Sequence, residues 1–144
     1  MVDVTSKAAT ARVARATGSI RMAATTLEAI VTNRVKKGDV LTVARVAGIM
    51  AAKRAFDLIP LCHPIALTDV QVTLSSDDAL PGLRVEAAVR TVGKTGVEME
   101  AITAAAVTLI TVYDMAKGLD KAMVISDVRL EEKDGGRSGH WRRQ

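Results

Sequence analysis

The chain predicts an α+β fold built on an antiparallel sheet with helices packed on one face, and three observations lead there. Short runs of alternating apolar and polar residues recur along the sequence, as half-buried strands require. Between them lie stretches whose apolar residues return at helical spacing. No proline-rich linker, composition break or internal repeat divides the 144 residues, so they form one domain, 1–144, around one core. With 49% hydrophobic and 25% charged residues, the composition is that of a globular protein and excludes disordered or collagen-like classes.

The first strand covers Arg12 to Met22, where Val13, Ile20 and Met22 interleave with Arg15, Ser19 and Arg21. Thr25-Thr26-Leu27-Glu28 has the form of a capping box, so a helix is expected to start there. Leu27, Ile30, Val31 and Arg34 continue it until Lys37-Gly38 stops it. Asp39 can cap a second helix, Val40 to about Phe56, with Val43, Val46, Ala47, Met50 and Ala51 as the apolar face opposite Lys53 and Arg54. Pro60 and Pro64 are expected to hold Leu58 to Ile65 extended.

Leu67 to Ser75 and Leu83 to Thr91 alternate and flank a polar Ser-Ser-Asp-Asp-Ala-Leu-Pro-Gly stretch, the signature of a β-hairpin. Ala101 to Tyr113 is long enough for a helix despite its β-branched Thr103, Val107, Thr108, Ile110, Thr111 and Val112. Ala122 to Glu132 alternates as the last strand, and a flexible tail begins at about residue 134 with Asp134-Gly135-Gly136-Arg137-Ser138-Gly139. Strand, two helices, two strands, helix, strand is the ferredoxin-like split βαβ order, its first crossover made of two helices. A helix as uncharged as Ala101 to Tyr113 carries more apolar surface than one small sheet needs, which predicts an oligomer.

Several classes are excluded by what the chain contains. The N-terminus lacks the apolar core of a signal peptide, and no uncharged run reaches the ~18 residues of a membrane span, so a cytoplasmic protein is expected. One cysteine, Cys62, with His63 and His140 as the only histidines, is a poor ligand supply for structural zinc. The net charge of +4 invites a polyanion, either nucleic acid or a phosphorylated metabolite. Phe56, Tyr113 and Trp141, the whole aromatic supply, argue against a base-stacking platform. A basic oligomeric module that binds nucleotide or nucleic acid without turnover therefore stays open beside an enzyme acting on a phosphorylated small molecule.

The stretch Gly93 to Lys117 concentrates the functional signal. Lys94, Glu98 and Glu100 precede its uncharged middle, and Asp114 and Lys117 follow it. Charges at both ends of a buried element must be wet, paired or functional. Asp114 and Lys117 are neighbours on one helical face. They read as a surface ion pair or as a catalytic couple. Glu98 and Glu100 share a face on a strand and oppose each other on a helix; otherwise they are acids that favour a helix N-terminus. Cys62 and His63, adjacent on an extended segment, should point to opposite sides and cannot form a dyad.

Leu58-Ile59-Pro60-Leu61-Cys62-His63-Pro64, Lys94-Thr95-Gly96-Val97-Glu98-Met99-Glu100-Ala101 and Tyr113-Asp114-Met115-Ala116-Lys117 occur in that order, with Lys37-Gly38-Asp39 and Met1-Val2-Asp3-Val4 upstream. In these segments the chain resembles the cyclic pyranopterin monophosphate synthases, the MoaC family of molybdenum cofactor biosynthesis. The resemblance implies a lyase that rearranges 3′,8-cyclo-7,8-dihydroguanosine 5′-triphosphate to cyclic pyranopterin monophosphate and releases diphosphate. It also implies a homohexamer, a trimer of dimers with active sites at the dimer interface, acting without nucleic acid, membrane or cofactor. Mg²⁺ could accompany the substrate triphosphate.

By motif, Asp114 falls on the family's acid/base, with Lys117 and Lys37 beside it as catalytic cations. Leu61, Cys62, His63, Met99 and Glu100 fall on substrate-binding segments, and Glu98, Arg12 and Arg137 are further substrate-binding expectations. The chemistry agrees: leaving diphosphate needs cations on its oxygens, and opening and reclosing a ring needs placed proton donors and acceptors. The family usually carries lysine where Arg137 stands, and arginine binds phosphate but does not give up its proton. Arg137 is therefore expected either to bind phosphate or to belong to a disordered basic end.

Overall fold

A computed structural model describes residues 1–144. Strands β1 (Thr10–Arg21), β2 (Leu67–Asp77), β3 (Gly82–Gly93), β4 (Val124–Asp134) and β5 (Trp141–Arg142) form one sheet in the order β2-β3-β1-β4-β5, every pairing antiparallel. Helices α1 (Ala24–Val31), α2 (Val40–Ala52) and the single turn α3 (Ala55–Leu58) cross from β1 to β2, and α4 (Glu98–Ala116) crosses from β3 to β4. The split βαβ order read from the sequence is the order observed.

Helix α4 lies against β1, β3 and β4, and α2 lies against α4. The core between them holds Ile20, Leu83, Val85, Val89, Leu109 and Val112, all fully buried, each large aliphatic contributing ~1.5–3 kcal/mol on leaving water. The opposite face of the sheet is wet. Arg15 reaches Glu86 at 3.0 Å and Glu132 at 3.6 Å, and Arg129 pairs with Glu131 at 2.6 Å. With its charged first turn included, α4 is long and apolar enough by length and composition to cross a membrane, but 56% of its most apolar window is buried inside this domain.

Four expectations are corrected. The capping box is not formed: Ala23 is the N-cap of α1, without a side-chain cap, and its amide donates instead to Asp120 Oδ2 at 2.8 Å. That helix ends before Lys37-Gly38, because Asn33 adopts φ 55°. The amides of Asn33 and Arg34 return to the Ile30 and Ala29 carbonyls at 3.1 and 2.8 Å, a Schellman closure in which asparagine takes the left-handed position.

The apolar face of α2 is also different. Val40, Ala44, Gly48, Ala51 and Ala52 are buried, whereas Val43, Val46 and Met50 remain 45–53% exposed. Small residues form the seam because α2 approaches α4 so closely that a Cβ on Gly48 would lie 2.1 Å from Thr108 Oγ1. Asp39 does cap α2, accepting the Thr42 amide at 3.0 Å.

Finally, Leu58 to Leu61 turns rather than extends. Leu58 ends α3, and the Cys62 amide reaches the Ile59 carbonyl at 3.1 Å. Beyond residue 134 the chain reverses through Gly135, Gly136 and Gly139, all at positive φ, and Trp141–Arg142 pairs with Glu132 and Lys133.

Candidate functional site

The predicted residues gather into two groups, one at each end of α4. At its C-terminal end the Asp114 carboxylate receives two ammonium groups, one on each oxygen. Lys117 meets Oδ1 and Lys37 meets Oδ2, both at 2.7 Å. Lys117 is one helical turn away on the same face, as the sequence indicated. Lys37 arrives from the loop between α1 and α2, where Gly38 at φ 101° turns the chain into the Asp39 cap. Its ammonium also donates to the Asp114 carbonyl at 2.9 Å, satisfying one of the orphan acceptors of the helix end.

This geometry fixes the charge state. Hydrogen bonds from Lys117 and then Lys37 pull the Asp114 carboxyl down to about 2, and Asp114 in turn raises Lys117. All three side chains are about half exposed, so a ligand can reach them. Beside them runs a groove of about 710 Å³, lined by Arg34, Lys36, Lys37, Lys117 and Lys121 among the apolar Val35, Tyr113, Met115 and Leu119, with no acidic residue. Arg34, Lys36 and Lys121 are not among the site residues that the sequence indicates. The signal available was position, since all three lie within a few residues of Lys37 or Lys117.

At the N-terminal end, Glu98 and Glu100 lie in the first turn of α4 and diverge. Glu98 faces a groove of about 640 Å³ whose lining includes Lys7, Arg12, Lys133 and Arg137, and its Oε1 is 3.3 Å from Lys133 Nζ. Gly96 makes room for it: a Cβ there would collide with Glu98 Oε2. Arg12 is held by its Nε on the Gly93 carbonyl at 3.0 Å, and Gly136 packs where any side chain would strike the Arg12 guanidinium. Arg137 is exposed on the same groove. Lys7 and Lys133 were not singled out from the sequence, and Lys133 is placed only by the fold of β4.

Glu100 turns inward and is 3% exposed. The Cys62 thiol donates to its Oε1 at 3.5 Å, while Oε2 is buried with no partner. Burial, more than any neighbour, raises the Glu100 carboxyl. Desolvation first, then the charge of Glu100 and the hydrogen bond to it, push the Cys62 thiol up to about 11. His63 points elsewhere, its Nε2 2.8 Å from the Val2 carbonyl, so the two adjacent side chains separate as expected. Leu61 is 71% exposed and Met99 half-buried.

The two groups do not meet within one chain. Glu100 and Asp114 are separated along α4 by about 21 Å at 1.5 Å per residue. No three His, Cys, Asp or Glu side chains converge as a metal-binding group.

Fold and grooves together define an α+β protein with a ligand-sized, cation-bearing depression at each end of α4, each with one carboxylate set against it or at its margin. The chain belongs to the MoaC family, whose model matches residues 1–136. It is 58% identical to the cyclic pyranopterin monophosphate synthase of Dinoroseobacter shibae over 98% of this chain and 89% of that protein. The enzymes of the same name from Methylobacterium sp. and Cereibacter sphaeroides are 60% and 56% identical, again over 98% of this chain and 88% and 89% of theirs.

Proposed function

We propose that this chain forms cyclic pyranopterin monophosphate and diphosphate from 3′,8-cyclo-7,8-dihydroguanosine 5′-triphosphate, a lyase step of molybdenum cofactor biosynthesis. The observation that carries the reading is the Lys37–Asp114–Lys117 arrangement beside a groove whose only charged lining residues are cations. Expelling diphosphate while a cyclic phosphate closes places new negative charge on the leaving oxygens, and positioned ammonium groups are the side chains that stabilise it.

The resting geometry suggests the order of events. Asp114 is a clamped carboxylate and a poor base while both lysines donate to it. A phosphate that draws Lys37 and Lys117 toward itself removes the hydrogen bonds that depress the Asp114 carboxyl, and its basicity rises when the substrate is in place. Lys117, paired with phosphate in place of Asp114, stays charged and stabilises the leaving oxygens. Arg12, Arg137 and Glu98 in the second groove take the rest of the substrate, and Leu61, Cys62, His63, Met99 and Glu100 are assigned to substrate binding by the family's motifs. The chain's own residues need hold no cofactor, and any Mg²⁺ would come with the triphosphate.

One substrate cannot span both ends of one α4 and remain in a compact pocket. The proposal therefore includes neighbouring subunits contributing opposite ends, in a homohexamer built as a trimer of dimers. The outer sides of α2 and α4 support it, since Val43, Val46, Met50 and Ile110 expose apolar surface. A cytoplasmic location accompanies this reading.

Incubating the purified chain with the cyclised nucleotide tests the function: pterin product and diphosphate should appear together. Absence of both from a folded, oligomeric preparation overturns it. Mixing an Asp114→Ala chain with a Glu100→Ala chain tests the shared site, because mixed oligomers should regain activity that neither variant has alone.

A further inference from the structure

Cys62 sits in a segment assigned to substrate binding, yet its thiol faces the protein. Sγ lies 3.5 Å from Glu100 Oε1 and 3.8 Å from the His63 carbonyl, and the residue is largely shielded. Its partner is unusual. Glu100 is 3% exposed, makes no ion pair, and retains a buried Oε2 without any hydrogen bond. An uncompensated buried carboxyl oxygen is costly, and a catalytic role is one of the few reasons for which native proteins keep such a group.

We propose that Cys62 is a positioning residue for the substrate: its thiol occupies Glu100 Oε1, ties the Leu61-Cys62-His63 loop to the first turn of α4, and leaves Oε2 as the uncommitted oxygen for the ligand. The proposal rests on the function given above for the site and assigns Cys62 a role through Glu100 rather than on the substrate itself. A thiol fits the position because it donates one weak hydrogen bond without bringing a charge into the pocket. A lysine there would ionise Glu100 outright, and an alanine would leave both carboxyl oxygens unpartnered.

Neither Glu98 nor His63 brings a cation to this pair. Glu98 on the same helix adds a like charge, itself paired to Lys133 of β4, and the His63 ring is turned away onto the Val2 carbonyl. With Oε1 accepting from the thiol, Oε2 is the oxygen left to meet a polar atom of the substrate.

The chain has one cysteine, so alkylation by iodoacetamide reports on this thiol alone. In the full-length protein, Glu100→Gln should move the pH profile of Cys62 alkylation downward and raise the rate at pH 9 at least threefold, because the neighbouring charge is gone. An unchanged profile overturns the pairing, whatever reaction the protein catalyses. In turnover with the cyclised nucleotide, Cys62→Ala should lower kcat/KM roughly tenfold, and Cys62→Ser, which keeps a donor, should restore at least half of the loss. Full activity in Cys62→Ala, or equal losses in the two variants with both folded, overturns the positioning role. If the unaltered chain gives no product, the function fails while the alkylation result still decides the pairing.

Discussion

The two ends of α4 carry the same functional group in opposite states. Glu100 lies in the first turn, where the helix dipole favours a carboxylate, and yet its carboxyl is raised. Asp114 lies in the last turn, where the dipole disfavours a carboxylate, and its carboxyl is lowered to about 2. Local environment overrides the helix at both ends. Burial against a neutral thiol outweighs the dipole at one, and two ammonium groups in water outweigh it at the other. One helix thus carries one carboxyl that holds its proton more tightly than usual and one that holds it less tightly, the kind of divergence from which a site obtains separate acid and base roles.

The largest expected effect removes one side of this contrast. Asp114→Ala should lower turnover by at least ~10³-fold while the circular dichroism spectrum stays unchanged, because the group is exposed and its loss opens no cavity. Near-normal rates would dissociate the lysine clamp from catalysis.

The next test strains both ends at once. The loop before α2 carries Lys37 and the segment after it carries Cys62, so the Gly48 seam holds the two ends in relation. Gly48→Ala drives a methyl group toward Thr108 Oγ1 and the Ala104 carbonyl, 2.1 and 3.0 Å from the added carbon. Overpacking of this kind costs ~1–3 kcal/mol, which should appear as a lower thermal midpoint together with a raised KM. Unchanged stability would show that the helices can separate freely.

A third prediction uses pH, and the two carboxyls give opposite signs. The folded Glu100 carboxyl titrates above the unfolded value of 4.5, so stability is greatest below that value and declines as pH rises through the folded pKa. Glu100→Gln should abolish that decline and raise the midpoint at pH 8 by ~2–6 °C over the unaltered chain, with little difference at pH 4. Asp114 is depressed, so its contribution is present above 3.8 and is lost as pH falls toward about 2. Being exposed, it should change acid stability only slightly, and Asp114→Asn should flatten that small slope. Thermal melts from pH 2 to 9 would read both.

The smallest effect belongs to the groove cations outside the clamp. Lys36→Ala or Lys121→Ala should raise KM about two- to fivefold with kcat retained, more at low salt than at high. A larger effect on kcat would move those residues into the reacting site.

How far the site was legible follows from these particulars. Asp114 and Lys117 were readable as a pair because helical spacing alone makes them neighbours. Lys37 could be joined to them only by resemblance, since 77 residues separate it from Asp114 and no local rule brings them within 2.7 Å. The inward turn of Glu100 and outward turn of Glu98 depended on where α4 starts, and helix ends are the part of an element that sequence reading locates least well. The face of α2 was misread because bulk was taken as the sign of burial, whereas close helix approach selects Ala44, Gly48 and Ala51.

By itself the sequence determined the element order, the antiparallel sheet, the Asp39 cap and the family, because alternation, helical spacing, capping chemistry and motif order are properties of neighbours along the chain. Only the tertiary structure decided the Schellman end at Asn33, the small-residue seam, the Cys62–Glu100 pair and the two-lysine clamp on Asp114. The last three depend on distances between residues remote in sequence and on how much water their approach leaves around a charge, whereas the Schellman end turns on the left-handed backbone that Asn33 adopts.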